Sequence, residues 1–263
     1  MQKIRRYAFT AACIASTLAA AAAIAALPDE IQVYTSDINK PGEVGLEMHV
    51  NTTPSGRSAP DFPGEIAPAP AWRFTPELSY GITRTLEVGL YVPMVVARDE
   101  QRIGGAKLRF KWLPVQVDEQ GNGVFAGANF EYAWVSSRLE QATQGIELRP
   151  IVGWRDERWL LATNPILDFD RAGPDRSWTP AFVPSVKVAR TLREGIAAGF
   201  EYYGDIGRVN DTLPRAEQSH TLYLAFDVDK GPLPFNFGIG RGLNGSTDRW
   251  TVKAIFEIPL GSK

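Results

Sequence analysis

Lys107, Arg109 and Lys111 are spaced by two and carry the densest run of like charge able to do chemistry here. Residues i and i+2 of an extended strand share a face, so the three form a basic ladder. Such a ladder either selects anionic solutes, as rings of charge do in pores, or is neutralised by Glu77, Glu87 and Glu131 on neighbouring segments. The two histidines are His49 and His220. His49 shares its strand face with Glu47, which makes either half of a weak metal or proton site or a polar wall pair. Ser219-His220-Thr221 sets hydroxyls beside a histidine, but strand neighbours point to opposite faces and form no dyad. Gly238-Ile239-Gly240-Arg241-Gly242 has the look of a phosphate loop without the helix that would complete one, so glycines relieving crowding in a wall account for it better. No catalytic residue, cofactor motif or complete metal set is read from the sequence, and the expected class is not an enzyme.

The N-terminus bears on compartment. Lys3, Arg5 and Arg6 precede an uncharged stretch, and Ala23-Ile24-Ala25 offers small residues where a signal peptidase reads them, which predicts a signal peptide over residues 1–25. The stretch is dominated by alanine and is a weak permanent span. Cys13, the single cysteine, lies within it, so the mature chain is expected to lack disulfides, thiol catalysis and thiolate metal sites. Removing the three leader cations from 28 basic residues leaves 25 against 30 acidic ones, a net charge of −5 that gives no reason to expect nucleic-acid binding. No later stretch is apolar enough for a transmembrane helix, so a membrane location requires a closed barrel.

What must position the charged residues is a series of strands. Alternating segments bounded by Gly, Asp, Asn and Pro predict twelve of them, at 44–51, 72–80, 86–96, 104–113, 124–135, 146–154, 159–169, 179–190, 195–203, 218–228, 233–241 and 249–260. One phase of each is apolar, as in Leu86, Val88, Leu90, Val92 and Met94. Between the end residues that phase carries no charge. The other phase carries sixteen charges: Glu47, Arg73, Glu77, Glu87, Lys107, Arg109, Lys111, Glu131, Glu147, Arg149, Asp168, Lys187, Glu201, Asp227, Lys253 and Glu257.

A soluble sandwich puts its apolar phase inside, and a membrane barrel reverses this. Loop lengths and tryptophans separate the two. The connections 81–85, 155–158, 191–194 and 229–232, after even-numbered segments, are tight, whereas 52–71, 171–178 and 204–217, after odd-numbered ones, are longer; 114–123 departs from the rule. All seven tryptophans fall at or beside segment ends, with Trp72, Trp134, Trp178 and Trp250 at the outward end and Trp112, Trp154 and Trp159 at the periplasmic end. Two aromatic girdles are the mark of a membrane's two interfaces. The expected fold is therefore all-β, a single up-and-down antiparallel transmembrane barrel of about twelve strands over residues 44–263, preceded by a periplasmic segment at 26–43. Its partners would be the outer-membrane bilayer and the barrel assembly machinery, although Phe256 sits near rather than at the terminus that machinery usually reads. Arginine on the lipid face should be costly, whereas a lumen arginine meets water or a counter-charge, so Arg109→Leu is expected to leave folding nearly intact.

The stretches 41–51 (PGEVGLEMHVN), 104–114 (GGAKLRFKWLP), 217–226 (EQSHTLYLAF) and 235–243 (FNFGIGRGL) resemble a family of proteobacterial outer-membrane barrels similar to the transporter-type barrels assigned to phenol meta-pathway degradation. The resemblance implies an outer-membrane location in a Gram-negative cell and transport, with no substrate and no residue roles. The function expected is a narrow porin-like channel for small solutes. The alternatives are a sealed structural or enzymatic barrel and a soluble periplasmic β-protein.

Overall fold

The computed structural model describes residues 29–260. The expected signal peptide over 1–25, and Cys13 within it, lie outside the described residues.

Alternation of apolar and polar side chains sends the chain back and forth as antiparallel strands. They are β1 (Val44–Ser55), β2 (Ala71–Gly81), β3 (Leu86–Tyr91), β4 (Met94–Ala97), β5 (Gln101–Ile103), β6 (Gly105–Val115), β7 (Gly123–Val135) and β8 (Gln144–Arg155). The second half supplies β9 (Trp159–Ala172), β10 (Ala181–Arg193), β11 (Ile196–Asp205), β12 (Gly207–Arg208), β13 (Asp211–Thr212), β14 (Ser219–Val228), β15 (Phe235–Gly242) and β16 (Trp250–Glu257).

These make twelve wall positions. β3 and β4 both pair with β2 and form one wall strand, interrupted at Val92-Pro93 where the proline has no N–H to donate. β5 and β6 form the next, interrupted at Gly104. β12 and β13 are a small hairpin in the connection after β11, and the sequence reading missed it. Each wall strand is antiparallel to its neighbours, and β1 pairs with both β2 and β16. The ring is closed as an up-and-down barrel, so no edge strand is left unpaired.

Pleating puts the two phases on opposite sides of this wall. The apolar phase faces outward, where cross-strand neighbours such as Phe110 and Phe130, or Leu78 and Leu90, form a continuous exposed band. All seven tryptophans are exposed on that surface. The charged phase faces inward: of the sixteen charges, twelve are buried, Glu47, Asp168 and Asp227 are half-buried, and Glu257 is exposed. Apolar outside and charged inside is the reverse of a soluble β-protein, which removes the soluble alternative.

Candidate functional site

The lumen is not a column of water. Residues 29–39, expected on the periplasmic side of the barrel, run inside it, and Asp29, Glu30, Ile31, Val33, Tyr34, Thr35 and Ser36 are all buried. Ile31, Val33 and Tyr34 pack with Leu113, Phe125, Ile151, Ala162, Tyr203 and Tyr223, which point inward from the wall. Burying an apolar side chain of this size contributes about 1.5–3 kcal/mol relative to leaving it exposed.

Polar side chains of the wall satisfy the backbone of the segment. The Tyr34 N–H donates to Asn164 Oδ1 at 2.7 Å, and Asn164 Nδ2 donates back to the Tyr34 carbonyl at 3.1 Å. Lys253 Nζ donates to the Ile31 carbonyl at 2.9 Å, Asn51 Nδ2 to that of Asp29 at 3.0 Å, and Arg149 to that of Gln32 at 3.2 Å. The Tyr34 ring lies under the Arg149 guanidinium, 4.3 Å from its centroid, close enough for a cation–π contact. Nearer the start of β1, the Asn39 N–H donates to Glu87 Oε2 at 2.7 Å and its Nδ2 to Ser79 Oγ at 2.8 Å.

The ladder singled out in the sequence sits at the centre of this arrangement. Arg109 donates to Glu77 Oε1 at 2.6 Å from Nε and pairs with Glu87 Oε1 at 2.7 Å. Gly89, its cross-strand neighbour, leaves room for that side chain, since a Cβ there would lie 2.6 Å from Arg109 Nε. Lys107 Nζ lies 3.0 Å from Asp29 Oδ2 and 3.8 Å from Glu131 Oε1. Glu140, in the loop after β7, is a third carboxylate at 4.0 Å, but burial pushes its carboxyl up to about 8, which weakens it as a counter-charge at neutral pH. Lys111 donates to the Asp37 carbonyl. Arg149 pairs with Glu147 at 2.7 Å and with Glu30 at 3.2 Å. All six ladder and partner residues therefore meet in the lumen, and two of the ladder's three cations also hold the N-terminal segment.

Elsewhere the structure fills in the weaker sequence signals. Ser219 is buried, while His220 bonds the Tyr202 hydroxyl through Nδ1 at 2.7 Å, so the two form no dyad. Gly240 lies under the Tyr223 ring, where a Cβ would come within 2.5 Å of ring carbon, so the glycine run makes room in the wall. At the loop end of the lumen a cavity of about 110 Å³ is lined by Asn51, Arg73, Tyr203, Tyr223, Asp248 and Thr251, among others. The Arg73 guanidinium is buried there with no carboxylate in ion-pair distance among the described residues. The sequence signal for the lumen segment was present but short: apolar Ile31, Val33 and Tyr34 beside the two carboxylates Asp29 and Glu30.

The barrel thus has a closed wall, an apolar outer band and a charged interior around a coil segment. The fold is that of an outer-membrane barrel. An outer-membrane channel of Pseudomonas putida F1, described as COG4313, superimposes with a TM-score of 0.59 at 11% identity, covering 87% of this chain and 99% of that one. The KdgM porin gives 0.55 at 7% identity, covering 82% and 99%, and the NanC porin 0.53 at 8%, covering 83% and 100%. No protein-family model and no curated protein matches the sequence.

Proposed function

We propose that this protein is an outer-membrane channel for small solutes, closed in the conformation seen here by its own residues 29–39. The observation that carries the proposal is that the segment in the lumen contributes no strand to the wall. It can leave without breaking a β-ladder, whereas any wall strand cannot. The exposed apolar band supports a bilayer location, and the similarity to barrels described as channels and porins supports transport rather than an enzymatic role. The resemblance of the four stretches quoted above to transporter-type barrels points the same way. In the opened lumen, Lys107, Arg109 and Lys111, with Glu77, Glu87 and Glu131, would set the charge that a solute meets, and Arg73 lines its path at the loop end.

The apolar anchors Ile31, Val33 and Tyr34 favour a second reading, a barrel sealed permanently by the same segment. Solute flux separates the two. Asp29→Asn with Glu30→Gln removes the segment's ion pairs with Lys107 and Arg149, the second of them a charge-assisted hydrogen bond worth about 1.5–3 kcal/mol by itself. Every 1.4 kcal/mol is tenfold in an equilibrium, so the open fraction should rise by at least about tenfold. Proteoliposomes of the double variant should swell in arabinose at least about tenfold faster than those of the wild type. Swelling that stays at the protein-free rate in both would favour the seal.

Strand direction is tested separately. The connection between β1 and β2 is long and proline-rich, and is expected outside the cell, with the turn between β14 and β15 facing the periplasm. An epitope inserted at Ser58 should be reachable on intact cells, and one at Pro232 only after the outer membrane is opened. The opposite pattern would invert the barrel.

A further inference from the structure

Glu47 and His49 are two residues apart on β1 and share its lumen face, and Glu77 is the direct cross-strand partner of Glu47 on β2. His49 Nε2 lies 3.4 Å from Glu77 Oε2 and 3.6 Å from Glu47 Oε2. We propose that these three side chains bind one divalent transition-metal ion of the zinc type in the lumen wall.

The distances are the first reason. Charge-assisted N–H···O contacts run at about 2.7–2.9 Å, and both separations here are longer by half an ångström or more. A tetrahedral ion with bonds of about 2.0–2.2 Å to nitrogen and oxygen holds its ligand atoms roughly 3.3–3.6 Å apart. Both histidine–carboxylate separations match that spacing, the one to Glu77 being at most a long hydrogen bond, and the three donor atoms all lie within 4.8 Å of one another.

Charge is the second. Two carboxylates set directly opposite on one sheet face repel. Arg109 does not relieve this at the shared point, because it is held on Oε1 of Glu77 and on Glu87, which leaves Oε2 turned toward His49. A carboxylate oriented from behind by an arginine is the outer-shell support that metal ligands commonly have. Among the described residues, Glu47 Oε2 accepts no hydrogen bond and His49 Nδ1 makes none.

The donor set indicates the ion. One imidazole and two carboxylates suit zinc, cobalt or nickel, whereas calcium takes 6–8 oxygens and magnesium an octahedron of them. His49 is fully buried, but the Glu47 side chain is 27% exposed, and its other neighbour, Glu257 on β16, is exposed too. That side offers an entry path and room for a water as fourth ligand. The ion would tie β1 to β2 next to the β1–β16 pairing that closes the ring.

This assignment stands whether or not the barrel conducts. Refolded full-length protein in detergent, stripped with chelator, would be titrated with Co²⁺ alone, reading the visible absorption of tetrahedral cobalt and the bound ion by equilibrium dialysis. One Co²⁺ per chain is expected, displaced by Zn²⁺ and bound at least about tenfold more weakly by Glu47→Gln and His49→Gln. Glu47 is partly exposed, so its variant should fold even if the His49 variant does not, and heat-modifiable migration on gels reports folding for both. The absence of stoichiometric uptake by folded wild type overturns the proposal, and so does uptake that Glu47→Gln leaves unchanged.

Discussion

Arg109→Leu should destabilise the barrel by about 3–5 kcal/mol, the usual consequence of removing one partner from a buried ion pair. Arg109 is 4% exposed and is the shared cation of Glu77 on β2 and Glu87 on β3, whose buried carboxylates would lose it together. Strand alternation alone puts Arg109 in a watered lumen, where this change is expected to leave folding nearly intact. The lumen segment and the inward apolar cluster exclude that water, and the expectation is reversed. Equilibrium folding into lipid vesicles over a urea series measures the loss. Replacing Glu77 and Glu87 by Gln in the same chain should restore part of it, since no uncompensated charge then remains. A triple variant no more stable than Arg109→Leu alone would show that packing, not charge, had been lost.

Leu90→Arg should cost about 2–4 kcal/mol in the same assay, the range for a cation on the lipid face near the midplane. Leu90 is 44% exposed and paired with Leu78 and Leu108 in the outer band, where no water or counter-charge reaches it. The cost should be paid only in bilayers, so folding in short-chain detergent, whose belt is more yielding, should suffer less. An equal, small effect in both media would mean that position 90 does not face lipid.

How much of this was legible follows from the length scale of each feature. Alternation is local, and it placed all twelve wall strands and put Leu90 and Arg109 on opposite faces. Tryptophan placement is local too, and it separated a membrane barrel from a soluble one. Where the ladder stalls, at Pro93 and Gly104, the sequence shows only a proline or a glycine inside an otherwise regular pattern. The hairpin β12–β13 has two residues per strand, too few for a period to show. Contacts of the lumen segment are the least local of all: Tyr34 bonds Asn164, 130 residues away, and Lys253 holds the carbonyl of Ile31, 222 residues away. The face of Lys107, Arg109 and Lys111 could be read, but not the depth of their burial. Likewise Glu47 and His49 were visible as a pair, while Glu77 joins them only through the β1–β2 register.

Single-channel recording in planar bilayers tests the central claim, that a channel is closed by its own N-terminal segment. Wild-type barrels should show long closed periods with rare openings. A variant lacking residues 29–39, with the wall from Val44 onward intact and migrating as a folded barrel, should show a sustained conductance. A folded deletion variant that stays silent would contradict the account, and so would a wild type that already conducts at the level of the deletion.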